Sequence, residues 1–210
     1  MNFKKSKWII VILFFSISIV DGNAQDSTYL KVHFLYGSKP KFKYRKTESR
    51  WFGGKLGGHV GLECDSGELL NFLPDGGVHI FSKEQDRNSI FVTHSEQRFY
   101  QILGGNGKSV KKTIFYIPIS LNQKHLFDSI KNAYLSESPY DYAFFGMRCG
   151  SSTYEILAQI GLLEQYGLKK TRRRIFYPRR LRKRLFQKAK MNHWTIVKTE
   201  GSYKRRWEKD

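Results

Sequence analysis

The hydrophobic pattern of the chain changes its period at Ser120, and this change constrains the fold more than any other feature. Before Ser120, short segments rich in β-branched and aromatic residues alternate with glycine-containing turns, which is typical of antiparallel strands. After it, apolar residues recur at helical spacing, and Ser120 with Gln123 has the pattern of a capping box. Strands first and helices afterwards indicate an α+β fold, with an antiparallel sheet packed against helices.

The same pattern predicts the individual elements. The predicted strands are 29–36, 59–64, 68–73, 78–82, 89–94, 98–103, 113–119 and 193–197. The predicted helices begin at Ser120, near Cys149 and at Pro178, and the second of them is expected to end near Gly167. The segment 37–52, between the first two strands, is predicted to be a loop rich in lysine and arginine.

The first 24 residues have the three parts of a secretory signal peptide. Three lysines among the first seven residues form a positive region, and 8–20 is an apolar and hydroxyl stretch. Gly22 and Ala24 then precede a predicted cleavage site before Gln25. Because a spanning helix needs about 20 apolar residues, the shorter run favours export over a membrane anchor. We expect a periplasmic or secreted protein, with a position peripheral to a membrane left open.

The remaining chain is expected to form one catalytic domain with a basic extension. Residues 25–168 have a length that suits a single core. From Lys169 the chain becomes strongly basic with interleaved apolar residues, so 169–210 is predicted to be an extension that packs on or docks the domain. The predicted anion-binding residues of this extension are Arg172, Arg173, Arg174, Arg179, Arg180, Arg182, Lys183 and Arg184.

The charge of the chain indicates the kind of partner that it meets. A formal net charge of +19 favours polyanionic surroundings, such as anionic lipid, a carboxylate-rich envelope polymer or nucleic acid. Basic and apolar residues mixed as they are in 169–190 suit an anionic membrane or envelope polymer. No recognition motif supports specific binding of nucleic acid.

Cys149 has the sequence surroundings of a nucleophile. It is predicted to lie in the first turn of a helix, where unpaired N–H groups and a partial positive charge stabilise a thiolate. Of six histidines, His59 is the best placed base, because it begins a strand directly after a glycine pair. Asn71, on the hairpin partner, would orient the imidazole, and Glu63 and Glu68 remain alternatives for that role.

A disulfide is the alternative interpretation of the cysteines. The chain has only two, Cys64 and Cys149, and an exported protein meets oxidising conditions. Strand alternation places Cys64 on the face of its strand opposite to His59. If His59 faces Cys149, Cys64 cannot, so we expect no disulfide. The other histidines lack the spacing of a zinc site, and neither a metal nor a cofactor is predicted.

Two stretches resemble a known family. The sequence SPYDYAFFGMRCGSSTYEIL at 138–157 resembles the nucleophile region of NlpC-type cell-wall cysteine peptidases. A histidine strand that precedes the cysteine helix, with GGHVGLECDSGELLNF at 57–72, is similar to the circularly permuted branch of that superfamily. This branch contains the YiiX-like hydrolases and the lecithin:retinol acyltransferase-like proteins. The resemblance covers roughly residues 50–165.

The resemblance implies a permuted papain-like fold in which Cys149 is the nucleophile, His59 the base and Asn71 the orienting residue. Tyr140 or Tyr142 would line the oxyanion site, and Glu63 is a further candidate for the lining.

The expected activity is that of a thiol hydrolase that cleaves an amide, in a cell-envelope peptide, through a thioester acyl-enzyme. The alternatives are a lipid acyl hydrolase or acyltransferase at a membrane surface, and a non-catalytic binder of anionic envelope polymers. A long apolar groove at the site would favour a lipid substrate, and a polar cleft that binds carboxylates would favour a peptide.

Overall fold

The structure is a computed structural model that describes residues 28–51, 54–64, 67–105 and 109–210. The predicted signal peptide lies outside the described residues. Within these ranges, no helix combines the length and the apolar character needed to cross a lipid bilayer.

Within the described ranges, eight strands form two antiparallel sheets. The strands are β1 (Tyr29–Leu35), β2 (Ser38–Pro40), β3 (His59–Cys64), β4 (Glu68–Pro74), β5 (Ser89–Ser95), β6 (Lys112–Pro118), β7 (Thr195–Thr199) and β8 (Arg205–Trp207). The main sheet has six strands in the order β5-β4-β3-β1-β6-β7, and β2 pairs with β8 in a small second sheet. The central strand β1 lies between β3 and β6.

Five α-helices accompany the sheets in the described part of the chain. They are α1 (Glu96–Gln101), α2 (Leu121–Ser136), α3 (Cys149–Gln159), α4 (Leu168–Arg174) and α5 (Pro178–Asn192). The predicted capping box opens α2: the Ser120 hydroxyl accepts from the Gln123 N–H at 3.2 Å, and the Gln123 side chain accepts from the Ser120 N–H at 3.0 Å. The predicted α+β class, with an antiparallel sheet, is therefore confirmed.

The two faces of the main sheet carry different cores. Val60, Leu62 and Cys64 of β3 belong to the larger core, with the buried residues of α2, α3 and α5. The opposite face packs against α1, whose Phe99 and Tyr100 are buried in a smaller core. His59, the first residue of β3, and Cys149, the first residue of α3, line the same cavity.

The predicted strand at 98–103 is wrong, because most of this segment lies in helix α1. Ser95 caps the helix, and its hydroxyl accepts from the Arg98 N–H at 3.3 Å. Phe99 and Tyr100 are adjacent in the chain and both buried, which one apolar helix face against the sheet accommodates.

The predicted strand at 78–82 is also wrong. This segment is a loop that Asp141 holds, since its carboxylate accepts from the N–H groups of Lys83 at 2.9 Å and Asn88 at 3.0 Å. His79 donates to the same carboxylate at 2.8 Å. This contact fixes the loop beside Ala143, where His79 forms an isolated bridge and no regular strand.

Helix α3 ends at Gln159 and not near Gly167. Gly161 has a φ angle of +78°, in the left-handed region that ends helices. Leu163, which falls within the predicted helix, therefore lies after the end of α3.

Residues 169–210 share the core of the domain. Ile175, Leu181 and Leu185 are wholly buried in the larger core, and β7 adds the edge strand beside β6. Arg182 was predicted to bind anions at the surface, and this is wrong because its side chain is wholly buried. Its guanidinium pairs with Glu208 at 3.2 Å and with Asp210 at 3.1 Å.

Candidate functional site

The imidazole of His59 is held by Asn71. His59 Nε2 lies 3.1 Å from Asn71 Oδ1, and the Asn71 amide nitrogen donates to the carbonyl of Leu69 at 2.6 Å. With its amide nitrogen committed to a backbone acceptor, Asn71 presents its oxygen to His59, so Nε2 carries the proton. Nδ1 then keeps the lone pair that a general base needs.

Gly61 makes this contact sterically feasible. A Cβ atom at Gly61 would lie 3.0 Å from Asn71 Oδ1 and 2.8 Å from the ring of Phe99. Any larger residue would therefore push the Asn71 side chain away from β3. Glycine at this position lets the amide lie across the strand next to His59.

Cys149 is the first residue of α3 and is buried. Burial raises the pKa of the Cys149 thiol, against the opposing influence of the Arg148 guanidinium and of the N–H groups of Val60 and Gly150. The expected thiolate-stabilising helix terminus is present, but desolvation outweighs it. Burial also lowers the pKa of His59 to about 4. At neutral pH the two groups are thus a neutral thiol and a neutral imidazole.

Cys149 and His59 line one cavity of about 550 Å³. Its walls are mainly apolar and include Leu56, Leu73, Val78, Leu103 and Phe144. The polar lining comes from Tyr142, Arg148, His59 and Cys149. The cavity thus combines a thiol and an imidazole with largely hydrophobic walls.

Tyr142, and not Tyr140, borders this cavity. The Tyr142 hydroxyl contacts both Cys149 and Arg148. The hydroxyl of Tyr140 bonds to that of Tyr134 at 3.0 Å, and its ring contacts Phe72 and Phe91 in the core. Of the two tyrosines predicted for the oxyanion site, the structure brings only Tyr142 to the thiol.

The carboxylates predicted as alternatives to Asn71 lie elsewhere. Glu63 is paired with Lys31 at 2.5 Å and with His33 at 2.8 Å, and these contacts hold its pKa at about 2. Glu68 is at the start of β4, opposite Ser95. Asn71 alone of these three residues contacts His59.

Arg148 is a site residue that the sequence did not reveal. Its guanidinium stacks against the rings of Phe144, Phe176 and Tyr177 at 4.9–5.5 Å. Its Nη1 atom is buried and has no hydrogen-bond partner in the described structure. In the sequence, this role is indicated by the position of Arg148 directly before the candidate nucleophile. The cavity shows that the Arg148 side chain lies beside the thiol.

No disulfide joins Cys64 to Cys149, both of which are described. The reason given by strand alternation is nevertheless wrong. Cys64 lies on the same face of β3 as the core of α3, and His59 lies on the opposite face. His59 borders the cavity of Cys149 because it is the first residue of its strand, beside the start of α3.

The remaining predicted anion-binding residues differ in their exposure. Arg173, Arg174, Arg180 and Lys183 are exposed on α4 and α5, whereas Arg172, Arg179 and Arg184 are half-buried. Arg174 and Arg184 both donate to the hydroxyl of Tyr166, at 3.1 and 3.2 Å.

Comparison with known proteins gives no template for this site. No family model, no characterised sequence and no solved structure matches the chain. In the described ranges, no three histidine, cysteine or carboxylate side chains gather as a metal ion would require.

Proposed function

We propose that this protein is a thiol hydrolase or acyltransferase that works through an acyl-enzyme on Cys149. The observation that carries the proposal is the shared cavity. Cys149 begins α3 there, and His59, fixed by Asn71 at 3.1 Å, borders the same space. A nucleophile, a base and a group that orients the base are the minimum set for covalent acyl transfer.

The protonation states define the first step. Since the thiol and the imidazole are both neutral, the thiol proton moves to His59 Nδ1 as sulfur attacks the carbonyl carbon. The tetrahedral oxyanion meets the donors nearest the sulfur, which include Tyr142, Arg148 and the N–H groups of Val60 and Gly150. His59 then gives its proton to the leaving group, and a thioester remains. Water, or another acceptor, attacks the thioester with His59 again as base.

The cavity favours a fatty acyl group over an envelope peptide. Its walls are aliphatic and aromatic side chains, such as Leu73 and Leu103, and Arg148 is its single charged side chain among the described residues. Apolar walls bind an acyl chain by the hydrophobic effect, at about 0.8 kcal/mol per buried CH₂. The lipid acyl alternative is therefore the substrate class that we propose.

We also propose that the domain has a permuted papain-like fold and that the protein is exported. A histidine strand that precedes the cysteine helix, β3 before α3, is the order expected of a permuted papain-like domain. The signal-peptide pattern of 1–24 supports export, and lipid substrates would place the enzyme beside a membrane.

The direct test uses p-nitrophenyl esters of increasing acyl length. We expect kcat/KM to rise by about two orders of magnitude from acetate to octanoate, since several CH₂ groups enter the cavity. Release of p-nitrophenol measures the rate. A hydrolysis rate highest for acetate, or exceeded by that of an N-acyl peptide amide, would contradict the lipid assignment.

Two variants serve as controls for this series. Cys149→Ala removes the nucleophile, and equal hydrolysis by this variant would exclude acyl-enzyme chemistry. Val78→Trp fills the exposed rim of the cavity, where Val78 is 42% accessible. It should slow octanoate hydrolysis and leave acetate hydrolysis nearly unchanged.

A further inference from the structure

A second cavity, of about 610 Å³, carries a concentrated positive charge. Five cationic side chains line it: Lys39, Arg45, Arg50, Lys55 and Arg206. Its other walls include Ser38, Trp51 and Gly54, and no acidic residue is among its described lining. Such a lining differs sharply from that of the Cys149 cavity.

None of these five cations lies in a salt bridge with a carboxylate of the described structure. Glu48 is the single acidic residue between Gly37 and Gly58, and it is engaged by Arg205 at 3.2 Å. Like charges that face one concavity repel one another, and an anion placed between them removes this cost.

Arg205, the ion-pair partner of Glu48, lies directly behind the wall. Arg205 is 3% exposed, donates to the Ser38 hydroxyl at 2.7 Å and stacks on Trp51 at 4.1 Å. Its Nη2 atom is buried without a hydrogen-bond partner in the described structure. The unsatisfied N–H of this buried guanidinium is costly, but Glu48 offsets the charge of Arg205, so the positive field of the cavity comes from its five lining cations.

The fold assembles this cavity from distant parts of the sequence. Strand β8 pairs with β2, with Arg206 opposite Lys39 in the register. The loop after β2 supplies Arg45 and Arg50, and the 3-10 turn Gly54–Leu56 supplies Lys55. Two like charges directly opposite each other destabilise a strand pair. The position of Lys39 opposite Arg206 is therefore unfavourable for the pairing of β2 with β8 by itself.

We propose that this basic cavity is a binding site for a phosphate-bearing anion. Guanidinium and ammonium groups on several sides match the oxygens of a phosphate or diphosphate group, and the arginines can bind them in a bidentate manner. The site is separate from the acyl-transfer residues, and its occupancy does not require Cys149.

The cavity is next to the wall of the Cys149 cavity. Lys55 lines the basic cavity, and Leu56, the next residue, lines the apolar one. One turn of chain thus borders both spaces. A phosphate group bound on one side of this turn lies beside the cavity in which an acyl chain would bind.

Calorimetric titration of the protein with inorganic pyrophosphate tests the proposal. We expect one equivalent to bind, with an affinity that falls as salt concentration rises. The double variant Lys39→Gln/Arg50→Gln should weaken binding about tenfold or more. The matched control is Lys83→Gln/Arg98→Gln, which removes the same charge from exposed positions outside the cavity lining and should change the affinity less than twofold.

Vesicles distinguish the two sources of the phosphate group. If the site takes a lipid headgroup, the protein should co-float with phosphatidylcholine vesicles that contain phosphatidic acid, and pyrophosphate should release it. If the site takes a soluble phosphate ester, pyrophosphate binds and no vesicle association depends on Lys39 and Arg50. Absence of pyrophosphate binding, or an equal loss in both double variants, would overturn the proposal.

Discussion

Replacing Arg182 by alanine is expected to lower the free energy of unfolding by about 3–5 kcal/mol, because it breaks a buried ion pair by removing one partner. The Arg182 guanidinium is wholly buried, pairs with Glu208 at 3.2 Å and with Asp210 at 3.1 Å, and lies 3.7 Å from the centre of the Tyr36 ring. Its loss leaves Glu208, which is 6% exposed, without its charge partner.

Urea unfolding, followed by circular dichroism, measures this change. Arg180→Ala is the matched control, since Arg180 is exposed on the same helix and its removal should alter stability by about 0.5 kcal/mol or less. Similar destabilisation by the two variants would mean that the ion pairs of Arg182 do not tie the C-terminus to the sheet.

Replacing His59 by glutamine is expected to reduce kcat/KM for octanoyl ester by about 10²–10⁴-fold, the range for loss of a general base. Glutamine keeps a polar group near Asn71 but cannot take the thiol proton. In the unmodified protein, the acid limb of the pH profile should lie near pH 4, because burial lowers the pKa of His59 to about 4. The imidazole is neutral, and so able to accept a proton, above that pH.

His125→Gln is the control for this variant, because His125 is exposed on α2. Its kcat/KM and its pH profile should match those of the unmodified protein. An acid limb near the ordinary histidine pKa of about 6.5 would contradict the buried position of His59. A His59→Gln variant with full activity would remove His59 from the mechanism.

Local patterns in the sequence predicted much of the fold. The strands β3 and β4 and the capping box at Ser120 follow from near neighbours in the chain, and the structure confirms them. The pairing of His59 with Asn71 followed from the expected hairpin, and the 3.1 Å contact agrees with it.

Other features depend on contacts that no local pattern contains. The segment 98–103 has the residue types of a strand, yet the Ser95 cap and the burial of Phe99 and Tyr100 on one face make most of it helical. Strand alternation correctly places Cys64 and His59 on opposite faces of β3, but His59 begins the strand and borders the cavity at the start of α3 all the same.

The roles of the charged residues also depend on contacts between distant parts of the chain. In the sequence, Arg182 is one of a run of basic residues, and only the chain end, with Glu208 and Asp210, makes it a buried anchor. Conversely, Lys39 and Arg206 are far apart in the chain, and the pairing of β2 with β8 brings them together.

The most direct test of an acyl-enzyme on Cys149 is the intact mass of the protein, quenched in acid shortly after mixing with p-nitrophenyl octanoate. The expected result is a species heavier by one octanoyl group, mapped by peptide digestion to Cys149, absent from Cys149→Ala and lost as hydrolysis proceeds. An octanoyl group on any other residue, or turnover of the ester with no adduct in the unmodified protein and equal turnover in Cys149→Ala, would contradict it.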